Sequence, residues 1–393
     1  MTNDLFIAVC VLAVTVVPSF LISLVVVGWV RKNAVRLGLM DQPSERKVHT
    51  TPIPRGGGIG IASGVLLTFA IGALLTWISN GERSLIGSVL PESVRACLPG
   101  LLSRLPQFAV LVGGGIALAG LGLLDDRFGL PWQPRLLIEF VVAGAVVYGQ
   151  NLQFTMFIEL PWLTSILSVL WIVLLINSFN MLDNMDGLSA GVATIVCGML
   201  SLMLFMTSEE TRGQPQLFVA AMLLALFGGL IGFLRYNWPP ATIFMGDAGS
   251  YFVGYWIAVS TLLATYVDAR GTTPHSVLAP LCLLAIPIYD TLSVVYLRLR
   301  EGRSPFQADK RHFSHRLVDM GLSKEQAVVA IHLATLTCSI GALLLPRTDL
   351  VGAVLVIAIV VCMLGLVSVI EGLLRKSIRK PIESGFSDKE PSK

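Results

Sequence analysis

ILSVLWIVLLINSFNMLDNMDGL, residues 166–188, decides the fold. From Ile166 to Ile176 the stretch carries no charge. Asn177, Asn180, Asp183 and Asp186 then recur every third position before Gly187. An apolar run that ends abruptly in carboxamides and carboxylates reads as a membrane span meeting water. On a helix such spacing sweeps one broad face, and Gly187 can end or bend it. Carboxamides with carboxylates suit a sugar or a ribose, and also a hydrated Mg²⁺. Turns and caps use the same residue types, but four are more than a cap needs.

The rest of the chain repeats this arrangement. Its 393 residues are 54% hydrophobic and 13% charged, with mean hydropathy +0.76; a soluble domain has about 25% charged residues. The expected fold class is an all-α polytopic membrane protein, with one transmembrane helical domain over 1–373 and a polar, disordered cytoplasmic tail over 374–393. A spanning helix needs roughly 20 apolar residues. About eleven segments qualify: 5–30, 57–79, 107–124, 135–151, 158–177, 188–207, 216–235, 248–267, 276–297, 326–345 and 349–373. With the N-terminus outside and the C-terminus cytoplasmic, the inner segments hold 22 of the 28 Lys and Arg, as the positive-inside rule requires. The first run is too long for a signal-peptide core and no basic residue precedes it, so it reads as an uncleaved helix. A net charge of +3 is too small to suggest nucleic acid as a partner, and six scattered cysteines without a CxxC speak against zinc or a disulfide framework.

Five polar clusters fall at the ends of apolar runs, all on the side the charge count makes cytoplasmic. Arg46, Lys47 and His49 lie in a proline-stiffened loop, RKVHTTPIPRGGG, whose cations can neutralise phosphate. No strand precedes its glycines, so it is not a nucleotide loop. Asp125 and Asp126 are adjacent carboxylates that repel unless a cation or proton intervenes; as a plain helix stop, Arg127 would be their partner. Asn177 to Asp186 form the third cluster. Gly246 and Asp247 sit in FMGDAGS, where glycines allow close approach to a ligand and one Asp suits Mg²⁺; Asp247 or Ser250 would also serve as an ordinary helix cap. Last, SPFQADKRHFSH brings Arg311, His312 and His315 together for anion binding. Asp290 lies inside an apolar helix, at a cost of roughly 2.5–3.5 kcal/mol on insertion scales, and should face the bundle interior. Glu139 is similar, with Arg135 one turn away as its expected partner.

These five motifs, in this order, resemble the polyprenyl-phosphate N-acetylhexosamine-1-phosphate transferase family over 41–315, and most closely the bacterial enzymes that load N-acetylglucosamine 1-phosphate onto undecaprenyl phosphate. The chain departs from that pattern twice: Asn184 stands where the family has Gly, and Ser314 where it has His. The resemblance implies a transfer from UDP-N-acetylhexosamine to undecaprenyl phosphate with release of UMP, in the bacterial inner membrane with the site on its cytoplasmic face. It implies Mg²⁺ as cofactor, with Mn²⁺ as a substitute. Asp247 would hold the metal, with Asp126 beside it. Asp125 would deprotonate or orient the lipid phosphate. Lys47, with Arg46 and His49, would neutralise phosphate. Asn177, Asn180, Asp183 and Asp186 would contact nucleotide, sugar or metal-bound water. Arg311, His312 and His315 would hold the diphosphate, with Asp290 in the same cavity. Direct and covalent routes both stay open, and a homodimer is compatible. Other readings are a phospho-N-acetylmuramoyl-pentapeptide transferase-like activity, a transporter or flippase, and a membrane scaffold. The acids gathered on one face and the lack of an internal repeat count against a transporter, and a scaffold needs no Asp and Asn clusters.

Overall fold

The computed structural model describes residues 2–42, 52–79, 98–153, 160–211, 214–264, 266, 273–306 and 311–384. The longer helices are α1 (Thr2–Leu37), α2 (Gly57–Ser79), α3 (Leu98–Phe128), α4 (Trp132–Gln150), α5 (Pro161–Leu182), α6 (Leu188–Thr211), α7 (Gln214–Asn237) and α8 (Gly246–Leu263). After a short turn of helix come α9 (Ala279–Leu283), α10 (Ala285–Arg300), α11 (Phe313–Asp319), α12 (Lys324–Leu344) and α13 (Leu350–Ser384). A two-residue ribbon, β1 (Met40–Asp41) against β2 (Ile53–Pro54), is antiparallel with Met40 opposite Pro54.

Among the described residues, eight helices are long and apolar enough to cross a membrane; Pro274–Leu283 with Ala285–Arg300, bent by 64°, makes a ninth. The protein is an integral, polytopic membrane protein. Each of the eleven expected spans coincides with a helix or with the bent pair, but α4 and α8 are not among the apolar set. The reason is physical. In α8 every residue from Ala248 to Thr261 is buried, so it is enclosed by protein and needs no lipid-compatible surface. Helix α4 carries Arg135 and Glu139. The tail expected to be disordered from 374 continues as helix to Ser384, and Gly385 is its first glycine.

Helix α8 is the axis of the molecule, packed against α2, α3, α5 and α7. Without a hydrophobic drive between helices in lipid, small residues and interhelical hydrogen bonds carry the packing. Trp256 Nε1 donates to Met222 O (3.0 Å), Tyr255 Oη to Leu111 O (2.8 Å) and Trp171 Nε1 to Thr261 Oγ1 (2.9 Å). Ser19 and Ser23 of α1 donate to Ala225 O and Gly229 O of α7 at 2.6 and 2.7 Å. A Cβ on Gly58 would overlap the backbone of Gly249, so α2 and α8 touch main chain to main chain. Gly58→Val must therefore push α8 away, since backbone cannot yield as a side chain does. Its expected result is a large fall in thermal unfolding midpoint in detergent with little activity; an unchanged midpoint would show the contact to be dispensable.

Backbone pairing then sets the site's frame. Phe244 N donates to Pro54 O, Gly57 N to Phe244 O and Gly58 N to Met245 O, each at 2.9 Å. The strand that closes the basic loop is thereby fixed beside the start of α8.

Candidate active site

Segments far apart in sequence meet at one end of the bundle, around the first turn of α8. Asp126, at the C-terminal end of α3, accepts from the backbone N–H of Asp247 (3.0 Å) and of Ala248 (3.2 Å). A carboxylate on the orphan N–H groups of a helix start is favoured by hydrogen bonding and by the helix dipole. The cap of α8 is thus Asp126 from another helix. No side-chain cap comes from α8's own N-cap residue, Met245, and the local alternative of Asp247 or Ser250 is overturned. Gly246 has φ +75°, and a Cβ there would overlap the Asp126 carboxylate. The glycine's close approach is to this aspartate.

Asp125 is 5% exposed. Its Oδ1 accepts from Leu130 N (2.7 Å); its Oδ2 pairs with Arg135 and accepts from Tyr251 Oη (3.2 Å). Arg135, not Arg127, is therefore its described partner, and Arg127 lies over the Phe128 ring. Glu139 accepts from Asn177 Nδ2 at 2.5 Å, and Arg135, its expected partner, is near enough to attract it electrostatically. Asp247 Oδ1 accepts from Asn180 Nδ2 (2.6 Å), which also reaches Ser250 Oγ (3.0 Å), and the Asp247 carboxylate lies within hydrogen-bonding reach of Asp125. Asn177 and Asn180 stand on the last turns of α5, which runs to Leu182, beyond the expected end at 177. Asp183 opens the following turn and accepts from Gly246 N–H. Asp186 accepts from Ala241 N (2.9 Å) and so ties down the loop after α7.

Arg55 pairs with Asp41 of β1 and lies 3.9 Å from Asp126 Oδ1. It is a site residue beyond the expected set, although it stands in RKVHTTPIPRGGG. Tyr251 is another; it sits four residues after Asp247 on α8, so helical periodicity alone would have found it. Arg46, Lys47 and His49 lie outside the described residues, as do Asp309 and Lys310.

The histidine segment joins the same site. Asp290 is fully buried. Its Oδ2 is 3.0 Å from His312 Nδ1 and its Oδ1 accepts from Phe313 N (2.6 Å), capping α11. Thr291 Oγ1 donates to Ser178 Oγ of α5 (2.9 Å). Arg311 pairs with Glu301, and the His312 and His315 ring centroids are 6.4 Å apart. The two departures in the motifs face each other: Ser314 Oγ donates to Asn184 Oδ1 at 2.5 Å. Phe306 stacks on Trp132 at 3.8 Å, linking the segment before α11 to the start of α4.

Five carboxylates, Asp125, Asp126, Asp183, Asp186 and Asp247, thus gather around Arg55 and Arg135, and Arg55 is shared with Asp41. Burial and the nearby Asp126 carboxylate push the Asp183 acid up to about 7; Asp186 adds to this, while the Gly246 N–H and Arg55 oppose it. The folded chain therefore keeps a proton that an unfolded Asp releases near 4. The stability it contributes is full below about pH 4 and is lost as pH rises through about 7. Without divalent cations, the unfolding midpoint should fall as pH rises from about 4 to about 7, and Asp183→Asn should flatten that slope; equal slopes would remove Asp183 as the source. Among the described residues no three His, Cys or acidic side chains form a ready metal cage. Mg²⁺ needs less, since it binds through one or two carboxylates and keeps water or phosphate as its other ligands. Among the described residues, five carboxyl groups against Arg55 and Arg135 fit that habit.

The model of glycosyl transferase family 4 matches residues 108–265. The chain is 30% identical over 375 residues, 94% of either chain, to a Bacillus subtilis protein named as a probable undecaprenyl-phosphate N-acetylglucosaminyl 1-phosphate transferase. It is 32% identical over 385 residues, 90% of this chain and 88% of the other, to a decaprenyl-phosphate N-acetylglucosaminephosphotransferase of Mycolicibacterium smegmatis. It is 30% identical over 329 residues, 80% and 79% of the two chains, to an undecaprenyl-phosphate alpha-N-acetylglucosaminyl 1-phosphate transferase of Yersinia pestis. With the acid cluster and the histidine helix brought to one end of an apolar bundle, this chain belongs to glycosyl transferase family 4, the polyprenyl-phosphate sugar-phosphate transferases.

Proposed function

We propose that the chain transfers N-acetylglucosamine 1-phosphate from its UDP-sugar to undecaprenyl phosphate, releasing UMP, as the first membrane step of a cell-envelope polysaccharide pathway. The observation that supports this most directly is the acid cluster at helix ends with the histidine helix beside it. A water-soluble donor and a lipid phosphate can meet only at such an interface. The relatives' names supply the sugar and the class of lipid acceptor.

An oxygen of the lipid phosphate attacks the sugar-bearing phosphorus, the bond to the bridging oxygen breaks, and UMP leaves with the electron pair. One diphosphate linkage is lost and one formed, so the step is nearly isoenergetic. Its catalysis is positioning and charge neutralisation. Asp125, held by Arg135 and Tyr251, orients or deprotonates the attacking phosphate. Asp247, with Asp126 beside it, would hold Mg²⁺ or Mn²⁺, which when bound neutralises phosphate oxygens. Asn177, Asn180, Asp183 and Asp186 address nucleotide and sugar. Arg311, His312 and His315, with Asp290 behind His312, hold the diphosphate, and Arg46, Lys47, His49 and Arg55 add positive charge. We read α4 and α8 as spans beside the eight apolar helices and the bent pair, which would give eleven. With the N-terminus outside, the Lys and Arg distribution puts the site at the cytoplasmic face of the bacterial inner membrane.

The test is to incubate purified protein with undecaprenyl phosphate, Mg²⁺ and a panel of UDP-sugars and to measure UMP. UMP should appear with UDP-N-acetylglucosamine, require the lipid, and vanish on chelation. No UMP from any UDP-N-acetylhexosamine would sink the reading.

A further inference from the structure

We infer that Asn184 and Ser314 act as one positioning unit, fixing the histidine helix against the aspartate turn. The inference rests on the proposed transfer reaction for its kinetic consequence, but not for its geometry. Ser314 is 1% exposed and its Oγ donates to Asn184 Oδ1 at 2.5 Å. The amide is itself oriented, because Asn184 Nδ2 donates to Met181 O at 2.8 Å. Asn184 follows Asp183 directly, and Ser314 lies between His312 and His315. Helix α11 is tied to α10 twice, by Asp290 at Phe313 N and by Arg316 to Ser293 Oγ at 2.8 Å. Helix α11 also packs on α12, and α10 meets α5 through Thr291 and Ser178; the Asn184–Ser314 bond is the described hydrogen bond that runs directly from α11 to the aspartate turn. Neither side chain need touch substrate: the bond sets where His312 and His315 stand relative to Asp183 and the start of α8. A shift of about 1 Å at a reacting centre costs on the order of 100-fold in rate, so a short bond from the buried Ser314 to the half-buried Asn184 is a sufficient cause.

A double-mutant cycle tests the unit. Ser314→Ala and Asn184→Ala should each lower kcat for UMP release about ten- to 100-fold, with the KM for UDP-N-acetylglucosamine within about threefold of the parent. The double variant should match the worse single within about twofold. Losses that multiply in the double variant would overturn the inference. A second readout needs no turnover: the rate at which diethyl pyrocarbonate modifies His315, followed by mass spectrometry. It should rise several-fold in each single variant and no further in the double. Rates equal to the parent's would likewise overturn the inference. Coupled modification rates in a parent chain that releases no UMP would uphold the unit and remove the transfer reading instead.

Discussion

Asp247→Asn should remove most Mg²⁺-dependent UMP release, with kcat down about 100- to 1000-fold, while the protein stays folded. The isosteric amide keeps an oxygen for Asn180 Nδ2, which donates to Oδ1 at 2.6 Å. The backbone N–H of Asp247 still reaches Asp126, so α8 keeps its cap. What disappears is one ionisable carboxyl group beside Asp125 and Asp126. Removing a like charge from a buried cluster relieves repulsion, so the unfolding midpoint should hold or rise. Activity should fall because a carboxamide cannot supply the anionic oxygen that a hard divalent cation prefers, and loss of one charge-stabilising group in a catalytic site costs about 100- to 1000-fold. Opposite movements of stability and activity would mark Asp247 as functional. Full Mg²⁺-dependent activity in the purified variant would end its assignment as the metal-binding residue.

The sequence made the segments legible but not their partners. Apolar runs and polar ends are local properties, so the span around 166–176 and the acids after it could be read without a fold. Partnerships depend on how closely helices approach, and hydropathy does not encode that. Asp125 sits two residues from Arg127 yet pairs with Arg135, because the chain turns back after Phe128 and α4 returns alongside α3. Asp126 caps a helix that begins 120 residues later. That contact requires the bare backbone of Gly122, where a Cβ would overlap Asp247. The expected position of Asp290 facing the interior followed from burial cost alone, whereas its partner, His312, could be found only from the return of the chain through α11. Asn184 and Ser314 could each be noticed as an unusual residue, but nothing in the sequence said that they touch.

Asp290 provides the second large effect. It is a buried carboxylate with two hydrogen-bonded partners on one short element, Phe313 N and His312 Nδ1. Asp290→Asn retains an oxygen for Phe313 N–H but presents an N–H₂ group or a neutral oxygen to the imidazole. His312 then loses the carboxylate that fixes its ring orientation. Such support of a functional histidine is worth about ten- to 100-fold, so kcat should fall about 100-fold with little change in stability. Asp290→Leu also strands Phe313 N–H in a buried site, at a cost of about 1–3 kcal/mol, and frees the start of α11. It should be less active than Asp290→Asn and melt at a lower temperature. His312→Gln should resemble Asp290→Asn in activity, and adding Asp290→Asn to it should cost little more, since both changes remove the same interaction. If Asp290→Leu kept parental UMP release, the buried acid would have only a packing role, and the His312 contact would be incidental to the site.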